Sequence, residues 1–441
     1  MGEYIHLFET VSEYNEARAN NYIEPWGSYI LENERVNYNK DEREKLRETP
    51  LTFEITGDGV LYWKWANTGS YNFKRTIQYS KNGGSWTSIT SASGSNAPTI
   101  SVVSGDVLQF KGDNADYGYT DTDPRVYDSV SFSGSTCQFS IKGNIMSLVS
   151  SSNFTSLTGL SGNCNFYEFF QACTGLTDAS KLILPCTKLT SYCYDGMFEN
   201  CTSLAQAPEL PATELGYRCY STMFSNCTNL IQAPALPATV LKDGCYQFLF
   251  ENCTSLAQAP ELPASAINSS SYKSMFEGCT SLTAAPALPA TALNYDCYSG
   301  MFSGCTNITK APILPATNLS SYCYRYMFEG CTSLIEGPEL PAIVLQDGCY
   351  QSMFKGCTSL TAAPELPAAT VKYASYSNMF AGCTKLDYIK CLATDISATQ
   401  ATNGWMSGVS SAGTFVKNPA MTSWTTGSNG IPNNWTVVDA S

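Results

Sequence analysis

Nine cysteines between residues 173 and 383 recur along the chain, the last eight at a fixed period. Cys173 is followed by Cys201, and from there every step is 26 residues, through Cys227, Cys253, Cys279, Cys305, Cys331, Cys357 and Cys383. Around those from Cys201 to Cys357 stands one sentence, M-F-x-[GN]-C-T-x-L-x-x-A-P-x-L-P-A, with single departures at Leu249, Ile308 and Gly337. A constant period in this range marks a solenoid, in which each unit buries its apolar face only against its neighbours.

The unit from Cys219 to Tyr246 shows what the sentence requires. The residue before each of the eight cysteines from Cys201 to Cys383 is Asn or Gly (Asn200, Asn226, Asn252, Gly278, Gly304, Gly330, Gly356, Gly382). These residues occupy the left-handed region cheaply, so this slot is expected to end a short helix. Tyr220, Met223 and Phe224 would form one apolar stripe on that helix. The Tyr slot is filled in all eight units, from Tyr194 to Tyr376, and the Phe slot from Phe198 to Phe380. Like rings should therefore stack along the array. A short parallel strand is expected at residues 229–233, ended by Pro234, which has no amide to donate. Leu236 and Leu241 then point inward from an extended return.

A second cysteine series lies eight residues ahead of the first: Cys193, Cys219, Cys245, Cys297, Cys323 and Cys349, replaced by Ser271 and Ser375 in two units. Were each pair a disulfide within its unit, both members should vanish together. Yet Cys279 and Cys383 remain, so the nineteen cysteines read as small buried thiols. Zinc needs tight C-x2-4-C pairs and often His, and neither pattern occurs.

Outside the repeats, residues 1–48 form a charged, aromatic lead segment. Thr10 with Glu13 resembles a capping box opening a short helix, and residues 28–31 and 36–38 read as two strands. Residues 49–136 alternate as a small β-sandwich does: Leu51, Phe53 and Ile55 share one face, Leu61, Trp63 and Trp65 another, and Lys81-Asn82-Gly83-Gly84 signals a hairpin. Asp113, Asp116, Asp121 and Asp123 form an acidic loop whose spacing is not that of an EF-hand. A solvated loop is the default there, with calcium the sharper alternative. Residues 137–172 read as an N-terminal cap with a degenerate unit, 173–387 as the array, and 388–441 as a C-terminal cap. The fold class expected is thus multidomain: an N-terminal hairpin/helix segment, a small all-β sandwich, then a solenoid of short parallel strands and short helices.

Only 14% of the 441 residues are charged, and the net charge is −13. A nucleic-acid binder needs a basic stripe to displace counterions, and none appears. No apolar run approaches transmembrane length, and no basic segment followed by an apolar run opens the chain, so neither membrane insertion nor a signal peptide is expected. The single histidine, His6, would have to serve any Ser-His-Asp or Cys-His arrangement. Glu209, Glu261, Glu339 and Glu365 recur in one slot, which leaves glycan cleavage by paired carboxylates as an alternative. A catalytic pair, however, needs two distinct environments. The expectation is no enzyme and no cofactor. Variation concentrates on either side of the Ala-Pro step, at Gln206, Glu209, Gln232, Gln258, Glu261, Lys310, Glu336 and Glu339, which are the candidate ligand-binding residues. Ser203 to Ala212 and Ser255 to Ala264 are identical, a sign of recent duplication.

The aromatic-x-[GN]-C-T-x-L core followed by Leu-Pro, here Met301-Phe302-Ser303-Gly304-Cys305-Thr306-Asn307-Ile308 and then Leu314-Pro315, resembles the BspA-like leucine-rich repeat family over residues 137–441. These units are 26 residues long against the family's usual 23. Residues 5–11, Ile23-Glu24-Pro25-Trp26 and Val36-Asn37-Tyr38-Asn39-Lys40 resemble the N-termini of virion-associated proteins from phages of gut bacteria. Together the resemblances imply a non-enzymatic head or tail fibre or decoration subunit in the virion. It would attach to other virion proteins through residues 1–48 and present the array to a host-surface or mucosal glycan or protein. A homo-oligomer is left open, since no heptad marks a coiled coil. The alternative is a bacterial surface adhesin carrying the same repeat.

Overall fold

The computed structural model describes residues 6–8, 29–31, 34–36, 38–66, 74–115, 129–422 and 424–441. Over these the regular structure is mostly strand, with few helices and several small sheets, none closed. β1 (His6–Phe8) pairs in parallel with β2 (Tyr29–Leu31), which pairs antiparallel with β3 (Glu34–Val36). The strand expected at residues 36–38 stops at Val36, because Tyr38 opens an α-helix, Tyr38–Glu48. This run of helix formers places Asp41 in the first turn and Lys45 and Arg47 in the last, matching the helix dipole. Thr49 Oγ1 donates to the Lys45 carbonyl at 2.7 Å, and Asn144 Nδ2 donates to that of Arg47 at 3.1 Å, satisfying two terminal carbonyls. The helix expected around Thr10 lies outside the described residues.

A six-stranded sheet follows. Its order is β13 (Leu176–Ile183), β12 (Gln138–Asn144), β4 (Leu51–Gly57), β10 (Val107–Gly112), β7 (Thr76–Lys81), β8 (Thr87–Thr90). The hairpin signal between β7 and β8 holds: Asn82 and Gly83 take φ of 53° and 72°. Two small sheets, β5 (Gly59–Tyr62) with β9 (Thr99–Val102) and β6 (Lys64–Ala66) with β11 (Ser129–Ser131), complete this part. β12 pairs antiparallel with β4 and in parallel with β13, so one sheet draws strands from both sides of residue 137. The core is equally continuous. Phe53 meets Phe132 and Phe170, and Phe170 stacks on Phe198, the first ring of the regular array.

From Leu184 to Asp387 the units carry turns and isolated parallel bridges, not the short helices and strands expected. The stripe of Tyr220, Met223, Phe224 and Cys227 is buried as a helix would bury it. The amides, however, alternate. Met223, Ser225 and Cys227 donate three residues back, while Tyr220, Thr222, Phe224 and Asn226 donate to Cys245, Gln247, Leu249 and Glu251 of the next unit at 2.7–3.0 Å. A left-handed residue at every fourth position causes this: Arg218, Thr222 and Asn226 have φ of 51°, 52° and 60°. The Asn/Gly slot is left-handed in all eight units, with φ of 56° to 76°. Each non-glycine in this region costs about 1–2 kcal/mol, offset by the hydrogen bonds between units.

The strand expected at residues 229–233 contracts to one bridge, Gln206 to Gln232. Ile231 N donates to the Ala205 carbonyl at 3.3 Å, but Pro234 follows at once. With a proline in that slot of both neighbours, from Pro208 to Pro364, the ladder cannot lengthen. Side chains carry the stacking instead. The Tyr column from Tyr194 to Tyr376 has ring centroids 5.7–6.4 Å apart. The Phe column from Phe170 to Phe380 has them 5.4–5.8 Å apart. At the far end Trp405 stacks on Tyr376 at 6.1 Å and on Trp424 at 5.4 Å, and its Nε1 donates to the Gly430 carbonyl at 3.0 Å. Parallel strands β14 (Tyr388–Cys391), β15 (Gly413–Lys417) and β16 (Trp435–Asp439) close that end.

Candidate ligand-recognition faces

Stacked units turn each sequence slot into a row along the surface. Gln206, Gln232, Gln258, Glu261, Lys310, Glu336 and Glu339 are exposed in such rows, as their variability implies. Gln206 and Gln232 are brought together by a backbone bridge, as are Lys310 and Glu336. Glu209 differs. It is half-buried and ion-paired with Arg43 of the Tyr38–Glu48 helix, while Lys181 of β13 pairs with Glu42 at 2.8 Å. Burial lowers Arg43 to a pKa of about 10, with Arg47 nearby adding repulsion. Glu209 thus anchors the lead helix to the array. Glu365, in the same slot, is held by Lys390 at 3.0 Å. Glu209, Glu261, Glu339 and Glu365 sit on different units, and two of the four are tied up in ion pairs.

The thiols are sealed. All nineteen cysteines are free and buried. Burial pushes Cys279, Cys331 and Cys383 up to about 12. Thiolate chemistry needs the opposite setting. Among the described residues no group of three or more His, Cys, Asp or Glu converges as metal ligands would. Of the acidic loop, Asp113 accepts from Ser151 N and Oγ at 2.8 Å, which lowers its pKa. Asp116, Asp121 and Asp123 lie outside the described residues.

A second face escaped the sequence reading. Two residues ahead of the second cysteine series, the slot holds Tyr217, Tyr295 and Tyr373, each 40–51% exposed, with Asp243, Ser269, Ser321 and Asp347 between them. Tyr295 meets the edge of Tyr322 at 5.8 Å. The Arg325 guanidinium lies 5.3 Å from the Tyr322 ring and 4.3 Å from the Tyr326 ring. Tyr192, Tyr217 and Arg218 form a smaller version four units earlier, with rings 5.2 Å apart. The available signal was a tyrosine at every third unit of one slot.

No family model matches the chain, and neither a curated protein nor a solved structure does.

Proposed function

We propose that the chain is a non-enzymatic virion subunit, a head or tail fibre or decoration protein of a phage. In this reading residues 137–441 form a leucine-rich-repeat solenoid of the BspA-like kind, residues 1–48 reach toward other virion proteins, and the array engages a glycan or protein of the host surface or mucosa. The observation that carries it is the stack itself. Near-identical units are joined by hydrogen bonds to the unit 25 residues on and by columns of like rings, while their variable slots face outward. Such an array changes length without disturbing its fold, which suits surface recognition. Repeated, equivalent environments give no basis for the unequal acid and base that hydrolysis needs. Among the described residues no helix is long and apolar enough to cross a membrane.

The Tyr38–Glu48 helix belongs to the folded body through Arg43 and Glu42. The attachment test therefore removes residues 1–36 and leaves the helix. The truncated protein should fold but fail to enter particles; normal incorporation would refute attachment through this segment. An adhesin would instead be found in the cell envelope of bacteria free of phage, which fractionation reads directly.

A further inference from the structure

In an array of near-copies, the informative unit is the one that departs from its neighbours. The unit around Tyr324 does so at three slots together. Elsewhere these slots are filled large only in part, by Tyr192 or Arg218 in the first, Lys273 in the second and Phe248 in the third; only this unit fills all three at once, with Tyr322, Arg325 and Tyr326. Both tyrosines sit in the left-handed region, at φ of 60° and 59°. A bulky residue is a rare and strained choice there. Burial does not repay it, since both side chains remain half-exposed, as does Arg325. The neighbouring unit makes room: a Cβ added at Gly348 would lie 2.4 Å from the Tyr322 ring. With Tyr295 beside them, these side chains form an open aromatic platform with a guanidinium held against two rings.

The geometry points to a binding site for a neutral oligosaccharide of hexose units, formed by Tyr295, Tyr322, Arg325 and Tyr326. The C–H face of a sugar ring is apolar and flat enough to lie on a tyrosine, and its rim of hydroxyls suits phenol and guanidinium groups. Tyrosine offers that contact with only two side-chain torsions to fix. Charge selects the neutral sugar: exposed Asp347, whose carbonyl accepts from Tyr322 N at 2.9 Å, sets a negative charge against that of Arg325, and the chain carries −13 overall, both unfavourable to an anionic glycan. The inference deepens the proposed recognition role by naming a ligand class and a face distinct from the row of Gln206, Gln258 and Glu261.

The test is calorimetric titration of the full chain with cellohexaose, maltohexaose and mannohexaose, with sialyllactose as the acidic comparator. At least one neutral hexaose should bind. The double variant Tyr295→Ala/Tyr322→Gly should bind it about tenfold more weakly or worse, and Arg325→Gln more weakly too. Lys188→Ala/Glu214→Ala, at an exposed surface ion pair, should bind it as the unchanged protein does. Glycine at 322 relaxes the strained backbone, so circular dichroism should show the double variant folded. The proposal is overturned if none of the neutral hexaoses binds, if sialyllactose is preferred, or if the Tyr295/Tyr322 variant binds as tightly as the unchanged protein. It is also overturned if the platform retains only a deglycosylated mucin polypeptide, which would make it a protein-binding surface. Particle incorporation is read separately, so attachment and sugar binding can fail independently.

Discussion

The thiol of Cys227 donates to the backbone carbonyl of Phe198, 3.1 Å away in the preceding unit. The contact repeats with the array, from Cys253 to Phe224 at 3.1 Å through Cys305 to Phe276 at 3.0 Å and on to Cys383 to Phe354 at 3.0 Å. Cysteine suits this slot because it is small, apolar and still a donor. Cys305→Ala loses both the sulfur's packing and the bond, and should lower stability by about 1–2 kcal/mol. The second column already tolerates an oxygen: Ser271 and Ser375 donate to the Lys242 and Gln346 carbonyls, again 29 residues back, at 3.3 and 2.9 Å. Cys297→Ser should therefore shift stability by less than about 1 kcal/mol. Urea unfolding followed by circular dichroism compares the two. Equal midpoints for Cys305→Ala and the unchanged protein would remove the structural role given to the thiol.

Sealed sulfur columns also predict chemical silence. All nineteen thiols are buried, and desolvation holds the thiolate form far out of reach near neutral pH, with Cys331 at about 12. At pH 8 the native chain should consume less than about one equivalent of a thiol-specific chromophoric disulfide in the first minutes. The same protein in denaturant should consume nineteen. Rapid native labelling at several sites would show that the columns are open to water.

Tyr322 and Gly348 form a matched pair across two units. Alanine at 348 meets two penalties: a φ of 58°, and a Cβ about to overlap the Tyr322 ring. Gly348→Ala should cost about 2 kcal/mol or more in the natural background, and only the backbone share, about 1 kcal/mol, once Tyr322 is Gly. A double-mutant cycle on thermal stability measures the difference. An additive result would mean that the ring does not lie where the structure puts it.

The sentence around each main cysteine was legible because its demands are local. Asn or Gly at residue 226 and its equivalents announces a left-handed backbone, and a constant Tyr, Met and Phe announce burial; both hold. The helix was misread because burial at i, i+3 and i+4 does not separate a helix from a ribbon of turns with a left-handed residue every fourth position. Two of those three positions accept Arg218, Thr222, Phe248 or Tyr326, and nothing about such residues betrays a positive φ. The strand was misread because a proline in every neighbour's ladder matters more than the apolar residues before it. The Tyr38–Glu48 helix was missed although its helix formers and its dipole-matched charges were visible. Glu209 looked like its row-mates in the sequence, and only the docked helix sets it apart. The platform of Tyr295, Tyr322, Arg325 and Tyr326 combines slots 27 to 31 residues apart, a neighbourhood that only the stacking creates.

Asp195 supplies a test of that stacking by pH. Its carboxylate is enclosed between units, accepts from Thr222 Oγ1 at 3.0 Å, and is raised from 3.8 to about 7. Burial is the main cause; Glu168 adds repulsion, while Thr222, Arg218 and Ser221 pull the other way. Glu168 is itself raised by burial, with Glu199 adding to it. The sign follows from proton counting. Between about pH 4 and pH 7 the unfolded chain has released the Asp195 proton and the folded chain still holds it. The folded state binds more protons there, so unfolding free energy falls as pH rises. The full effect of Asp195 has an upper bound of about 4 kcal/mol. Asp195→Asn keeps an acceptor for Thr222 but cannot ionise. The variant should lose much of this slope, and above pH 7 it should be the more stable of the two. Urea midpoints for both proteins at pH 4.5, 6 and 7.5 decide it, and parallel curves would mean that Asp195 meets water in the folded protein.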